Sequence, residues 1–402
     1  MSERFTGSFT QQEPIPEAGI KAALEVLQHG RLHRYNVAEG ELGETALLEQ
    51  EFAQLTGAKY ALAVASGGYA MGCAMRAIGV KAGDKVLSNG FTLAPVPGAI
   101  ASLGAEPVFV EVTENLTIDL DDLAAKIDSS GAKVLLLSHM RGHLVDMEAL
   151  MATCDAANVA VVEDCAHTMG ADWKGVHSGR HGIIGCYSCQ TYKHINSGEG
   201  GFLTSDDDEV MARAIMLSGS YMLFERHAAT PPVEVFERVK YDTPNISGRM
   251  DNLRAAILRP QLPMLGAQVD KWNARYTKVE EGIRNCPGLR VIERAPEGRF
   301  VGSSIQFLLP GYRPEQIESF VQGCAARGVE LKWFGAAEPK AFTSRYDSWK
   351  YAAAQSLPQT DRVLAGLIDM RLPLTFTLED CSTIARIITD EAMTLSQSVA
   401  AQ

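Results

Sequence analysis

A single lysine, Lys193, stands between the strand-like run "GIIGCYS" and the glycine-rich turn "HINSGEGG". An amine there is either an ordinary surface charge or a nucleophile aimed into a pocket. To act as a nucleophile it needs desolvation or a nearby cation, because a free lysine titrates near ~10.4. Three further groups fall at the carboxyl ends of predicted strands, where open α/β sheets bind ligands. In "AVASGGYAM", Ser66-Gly67-Gly68 close a strand and open a helix at Tyr69, offering free N–H groups and a positive dipole end to an anion. In "VAVVEDCAHTMG", Asp164 emerges at a strand end with His167 on the same turn. Ser188 ends "GIIGCYS" and could add a hydroxyl to an anion site. Each has a plainer reading as a strand-to-helix turn, a capping aspartate or a structural serine. Together, an amine, an acid for a cationic ring nitrogen and an anion nest meet the requirements of pyridoxal phosphate. Neither G-x-G-x-x-G nor G-K-[ST] accompanies the glycines, which argues against a dinucleotide or Walker site.

The elements that would position these groups alternate. "PEAGIKAALEVLQHG" and "GETALLEQEFAQLTG" read as helices stopped by Gly30 and Gly57. Strand-like "KYALAVAS", "DKVLSNG", "EPVFVEV", "AKVLLLSHM" and "VAVVEDC" follow, separated by helical segments. Strands bounded by helices, and apolar on both faces, imply a largely parallel sheet covered on two sides. From Met250 to Arg284 the pattern turns helical, with Pro260 and Pro263 implying a kink or break. Beyond it, "LRVIER", "SSIQFLLP", "EQIESFVQGCAARG" and "VELKWF" suggest a smaller α+β domain. The expected division is a large domain over 1–255 and a small one over 256–402, with the boundary within 250–285. The last residues, "SQSVAAQ", read as a disordered tail.

A chain of 402 residues is long for one core, and its 46% hydrophobic and 21% charged content is ordinary for a globular protein. The formal charge of -12 argues against a nucleic-acid partner. No apolar run reaches membrane-spanning length, and the polar N-terminus lacks a signal-peptide core, so the cytoplasm is the expected compartment. The eight cysteines form no framework. Strand alternation would send the thiols of Cys186 and Cys189 to opposite faces, which favours buried, reduced cysteines over a metal or redox pair; no metal site is expected.

The chain resembles the DegT/DnrJ/EryC1/StrS aminotransferases, α/β enzymes of fold type I that use pyridoxal phosphate, chiefly to aminate keto- and aldehyde sugars. The resemblance runs through "HGRLHRYN", "ASGGYAM", "GDKVLSNGFTLAPVPGAIASLGAEPVFVEV", the block from Glu163 to Gly201 and "GRMDNLRAAILRPQL". The segments "LLLSHMRGHLVDMEAL" and "LKWFGAAEP" are similar to the branch that makes 8-amino-octulosonate sugars. It implies that Lys193 forms the Schiff base and shuttles protons, and that Asp164 keeps the ring nitrogen protonated. His167, where the family usually has Gln, would reach the phenolic oxygen, while Gly67, Gly68, Tyr69 and Ser188 would hold the phosphate. Glutamate or glutamine is the implied amino donor and a sugar-like carbonyl the acceptor, with a lyase or carbon-carbon bond-forming reaction, or a non-catalytic paralogue, as alternatives. Three departures stand out. The family's S-G-T-x-A is here Ser66-Gly67-Gly68-Tyr69-Ala70. The aromatic residue that covers the ring is Leu93, leaving Phe91 or Tyr69 as substitutes. The asparagine that reaches a partner's phosphate is Ser247, with Asn245 nearby, in an expected homodimer. Arg31, His33, Arg34, Tyr35 and Trp333 are candidate substrate contacts. The glycines after Lys193 are expected to make room beside a bound ring.

Overall fold

A computed structural model describes residues 3–400. The apolar runs form the strands expected of them. In chain order they are β1 (Tyr60–Val64), β2 (Lys85–Asn89), β3 (Glu106–Val110), β4 (Val134–Ser138) and β5 (Ala160–Asp164). A two-residue pair, β6 (Asp172–Trp173) and β7 (Val176–His177), makes a small hairpin, followed by β8 (Ile184–Ser188) and β9 (Gly201–Ser205). Seven of these form one sheet in the order β1-β9-β8-β5-β4-β2-β3. Only β9 runs against its neighbours; β8, β5, β4, β2 and β3 are mutually parallel. The carboxyl ends of β4, β5 and β8 therefore lie side by side.

Helices cover both faces. They are α1 (Glu17–His29), α2 (Glu44–Thr56), α3 (Gly67–Ala77), α4 (Pro95–Ala101), α5 (Leu120–Ser130), α6 (Met147–Ala156) and α7 (Asp208–Ser218). The helices α1 and α2 end where glycine allows a left-handed residue, at Gly30 (φ 74°) and Gly57 (φ 72°). Cys186 joins the apolar cluster on the α3–α7 side, and Cys189 the cluster around Phe52 and Tyr187 on the other. All eight cysteines are buried and free.

After α8 (Val233–Val239) and α9 (Asn252–Leu258), the two prolines impose a 3₁₀ stretch over Arg259–Met264 before the long α10 (Leu265–Ile283). The second sheet is antiparallel, in the order β10 (Arg290–Val291), β11 (Ser304–Leu308), β13 (Leu367–Arg371), β12 (Lys332–Trp333). It packs with α10, α11 (Pro314–Ala326) and α13 (Leu378–Ala400), while α12 (Pro358–Ala365) precedes β13. Two details depart from the sequence expectations. Phe5 and Phe9 pack against Phe376 in the second core, so the first residues join the C-terminal sheet rather than the large domain. The tail expected after Leu395 continues α13 to Ala400, and Ala401 and Gln402 lie outside the described residues. Among the described residues no helix is long and apolar enough to cross a membrane.

Candidate active site

The site is built where β4, β5 and β8 end. Asp164 closes β5, and its carboxylate is held from two directions. Its Oδ2 accepts from the Ser138 hydroxyl at 3.0 Å, and its Oδ1 accepts from the Ala166 N–H at 3.1 Å. Ser138 is itself oriented: it accepts from the Thr92 hydroxyl at 2.8 Å, and its backbone exchanges two hydrogen bonds with the Asn89 amide. A hydroxyl with its acceptor side occupied by Thr92 has its proton directed at Asp164. The carboxylate therefore has little freedom to turn.

Lys193 leaves the end of β8 on a turn closed by its own N–H to the Gln190 carbonyl. Its amine lies 2.9 Å from His167 Nε2. The other ring nitrogen, Nδ1, accepts from the Arg141 backbone N–H at 3.3 Å. A backbone N–H can only donate, so Nδ1 carries the lone pair and a neutral imidazole keeps its proton on Nε2. The lysine must then accept, which requires a neutral amine. The electrostatics agree. Burial first, then the charge Lys193 carries whenever it is protonated, then Arg141 hold His167 well below the ordinary histidine range, so the imidazole stays neutral. Burial first, and Arg141 next, bring Lys193 down to about 7, with Asp164 opposing the shift and Arg371 adding to it. Arg141 adopts a left-handed backbone (φ 55°, ψ 23°) in the turn after β4, and Arg294 clamps that turn through the Arg141 and Gly142 carbonyls.

Lys193, Asp164 and His167 line one cavity of about 340 Å³ with Gly67, Gly68, Leu93, Ser138 and Ser188. At its far side, Ser66 caps α3 by accepting from the Tyr69 N–H, and its carbonyl takes the Ala70 N–H. The Gly67 and Gly68 N–H groups are left without intrahelical acceptors beside the Ser188 hydroxyl. Gly67 packs so close to Ser188 that an added Cβ would come within 2.9 Å of its side chain, whereas at Gly68 it would make only ordinary contact, 3.9 Å from the Ser66 Oγ and 4.0 Å from the Pro95 Cβ. A slightly larger cavity, about 380 Å³, lies between residues 142–146 and 293–300. Its His143 and Arg294 are already engaged, with Gln306 and with backbone carbonyls.

Several sequence expectations change here. Tyr69 does not face the cavity: its ring lies under Gly248 and its hydroxyl donates to the Leu217 carbonyl, while Ser66 consumes its N–H. Phe91 is buried edge-on to Phe334, so Leu93 is left as the apolar wall. Gly201 does not make room for a ring; it lets β9 pass under the Ser66–Gly67 backbone, where a Cβ would come within 2.6 Å. Arg34 is a buried ion pair with Glu49 at 2.8 Å, and Tyr35 hydrogen-bonds His227 at 2.8 Å. Trp333 is buried and donates to the Ala365 carbonyl. These three are committed to the interior, Arg34 through Glu49, Tyr35 through His227 and Trp333 through Ala365, although the Arg34 Nε has no partner among the described residues. Arg31 and His33 lie near the surface, Arg31 3.6 Å from Glu41, and neither lines the cavity. Asn245 and Ser247 sit in an exposed loop, with Ser247 left-handed (φ 49°) and its N–H bonded to the Asn245 side chain. Ser138, Thr92, Asn89 and Arg141 were missed. The rule that singled out Asp164, a polar residue at the carboxyl end of an apolar run, applies equally to Ser138 after "VLLL".

An open, mostly parallel sheet with a desolvated lysine and an anchored aspartate at its carboxyl edge is the fold-type-I α/β arrangement. The chain belongs to the DegT/DnrJ/EryC1/StrS aminotransferase family, whose model matches residues 15–389. It is 33% identical over 220 residues, 53% of this chain and 52% of the relative, to a putative L-glutamine:3-amino-2,3-dideoxy-scyllo-inosose aminotransferase of Streptoalloteichus tenebrarius. It is 32% identical over 215 residues, 53% of this chain and 55% of the relative, to the GDP-perosamine synthase of Vibrio cholerae. The matched stretch thus spans about half the length of these curated relatives. Among solved structures, 3-amino-5-hydroxybenzoic acid synthase superposes with a TM-score of 0.81 at 23% identity, covering 98% of this chain and 100% of that one. An aminotransferase from Psychrobacter cryohalolentis gives 0.84 at 20% identity, covering 97% and 100%.

Proposed function

We propose that this protein is a pyridoxal-phosphate-dependent aminotransferase that moves an amino group from an amino-acid donor, glutamate or glutamine, to the aldehyde or ketone of a sugar-like compound. The observation that carries this reading is the convergence of the Lys193 amine and the Asp164 carboxylate on one cavity, with His167 hydrogen-bonded to the amine. The donor set fits the cofactor. A neutral amine stands ready for its aldehyde, a carboxylate fixed by two donors suits a protonated ring nitrogen, and free N–H groups beside Ser188 suit its phosphate. When bound, the cofactor supplies an electron sink for the carbanion at the substrate carbon.

The protein's own groups do the rest. Lys193, with a pKa near neutrality, can take a proton from the substrate carbon and return it on the other side of the exchange. Asp164, held by Ser138 and Ala166, would hold the positive charge of the cofactor's ring nitrogen in place. Once the lysine is engaged elsewhere, the His167 Nε2–H is free to donate to an oxygen on the ring. Leu93 offers an aliphatic wall in place of an aromatic one.

A homodimer accords with this reading. Ile20, Leu24 and Leu27 are about half exposed along one stripe of α1, and Tyr221, Tyr241 and Ile246 are exposed near Asn245 and Ser247. These surfaces suit a second copy whose loop would reach the neighbouring phosphate site.

Excess glutamate should bleach the yellow protein and release 2-oxoglutarate in equal amount. Colour lost without a keto product would favour a lyase, and a colourless protein that takes up no pyridoxal phosphate would defeat the reading.

A further inference from the structure

The two acids that close β5 point opposite ways. Asp164 lines the cavity, whereas Glu163, wholly buried, turns to the other face and does not. Each oxygen of Glu163 accepts twice. Oε1 takes the His181 N–H (2.8 Å) and the Gly182 N–H (2.7 Å), and Oε2 takes the Gly179 N–H (2.9 Å) and His139 Nε2 (2.9 Å). His139, Glu163 and Cys165 bring their ligand atoms within 4.8 Å of one another. Four donors nevertheless fill the four acceptor positions of a carboxylate, so the group is a hydrogen-bond hub and not a cation site. Burial opposes ionisation here, yet His139 and the Gly182 and Gly179 N–H groups hold the carboxyl below its ordinary range. Glu163 is therefore an anion, and His139 Nε2 donates to it.

His139 joins this hub to the reactive amine. Ser138 and His139, adjacent in the chain, grip the two adjacent acids: Ser138 holds the Asp164 side chain and His139 the Glu163 side chain. The His139 N–H also donates to the Asp164 carbonyl at 3.1 Å, and its carbonyl accepts the Gly142 N–H at 3.0 Å, closing the turn that carries Arg141. Arg141 is left-handed, which a residue with a Cβ resists, so the turn depends on ties at its ends. Arg294 ties it to the small domain, and His139 ties it to the sheet. From that turn the Arg141 N–H meets His167 Nδ1, and His167 Nε2 faces the Lys193 amine. We propose that His139 is a positioning residue: braced on Glu163, it aims the Arg141 N–H at His167 and so fixes the hydrogen bond that His167 gives to Lys193. The charges acting on the amine are Arg141, Asp164 and Arg371, with His167 and His194 as buried neighbours. Neither His139 nor Glu163 is among them, so an effect of His139 on Lys193 must arrive through geometry. Its place in turnover rests on the aminotransferase reading; its effect on the amine does not.

The test is reductive methylation of Lys193 in the cofactor-free protein across pH, read by peptide mass, in His139→Leu and His139→Gln. His139→Leu removes the donor to Glu163. The amine then loses the bond that favours its neutral form, so the midpoint near 7 should rise and the neutral fraction below pH 7 fall about three- to tenfold, as for one hydrogen bond. His139→Gln offers an amide N–H to the same carboxylate and should return the midpoint toward wild type. A pair that serves stability alone would lower the melting temperature of His139→Leu and leave the midpoint unchanged, and that result overturns the proposal. So does an equal rise in both variants, which would make the imidazole itself, and not its donor, the cause. If His139→Leu does not fold, His139→Asn, whose shorter amide falls short of Glu163, replaces it; failure of both assigns the pair to folding and also overturns the proposal. In the cofactor-loaded protein the maximal rate of bleaching by glutamate should fall in His139→Leu and recover in His139→Gln. An unchanged rate beside a shifted midpoint overturns the place of His139 in the reaction. A shifted midpoint in a protein that does not transaminate would defeat the functional reading and leave the brace standing. Transamination with the midpoint unmoved would do the reverse.

Discussion

The reactivity of Lys193 in the cofactor-free protein can be calculated from its surroundings. With a pKa of about 7, set by burial and then Arg141, most of its amine is neutral at pH 8. An ordinary lysine near ~10.4 is then about 0.4% neutral, so Lys193 holds roughly a 200-fold advantage in reactive form. A less basic amine is intrinsically a weaker nucleophile, which returns part of this and leaves an expected excess of some tens of fold. The perturbation is a pulse of formaldehyde and cyanoborohydride from pH 5.5 to 10, and the assay is peptide mass spectrometry of each dimethylated lysine. The Lys193 profile should rise with a midpoint near 7 and level off, while a solvated lysine, with its ordinary value near ~10.4, keeps rising to the top of the range. Asp164→Asn should move the midpoint lower, because that carboxylate favours the charged amine. The same shift has a stability consequence. Between about 7 and ~10.4 the unfolded chain holds the proton and the folded one does not, so this group makes stability fall as pH drops through that window and adds nothing further below it. A Lys193 profile that parallels the exposed lysines would refute the desolvated-amine argument.

Two further outcomes follow from the same geometry. Ser138→Ala removes one of the two donors on Asp164 and should lower kcat about tenfold, the equivalent of one hydrogen bond to a charged group, with substrate KM little changed and the melting temperature within a few degrees. A loss confined to KM would contradict the orienting role of Ser138. Arg34→Met leaves Glu49 buried without its main partner and should destabilise the fold by about 3–5 kcal/mol, read by urea unfolding. Glu49 is held near 2 by Arg34 and His227 against its burial, so its contribution is present above the ordinary glutamate range and is lost as pH falls through it toward 2. Wild-type stability in Arg34→Met, with a raised KM instead, would return Arg34 to the substrate site.

Local patterns were sufficient for the strands and helices of the large sheet because both faces are covered, which makes most of its strands short, largely apolar runs. The strand-edge rule then brought Lys193, Asp164, Ser188 and the Ser66–Gly68 turn to one edge. It could not say which way a side chain turns once there. Tyr69 lies one residue past that turn, yet its ring goes under Gly248, because α3 directs it to the opposite side. Arg34 and Tyr35 read as candidate substrate contacts in sequence, but Glu49 and His227, distant along the chain, complete them in the interior.

The amine, the acid and the parallel sheet that aligns them were determined by the amino-acid sequence, through residue type and hydrophobic period. The tautomer of His167 and the lowered pKa of Lys193 were decided only by tertiary structure. Those properties come from burial and from charges that the chain brings together across long separations, and neither depends on near neighbours in sequence.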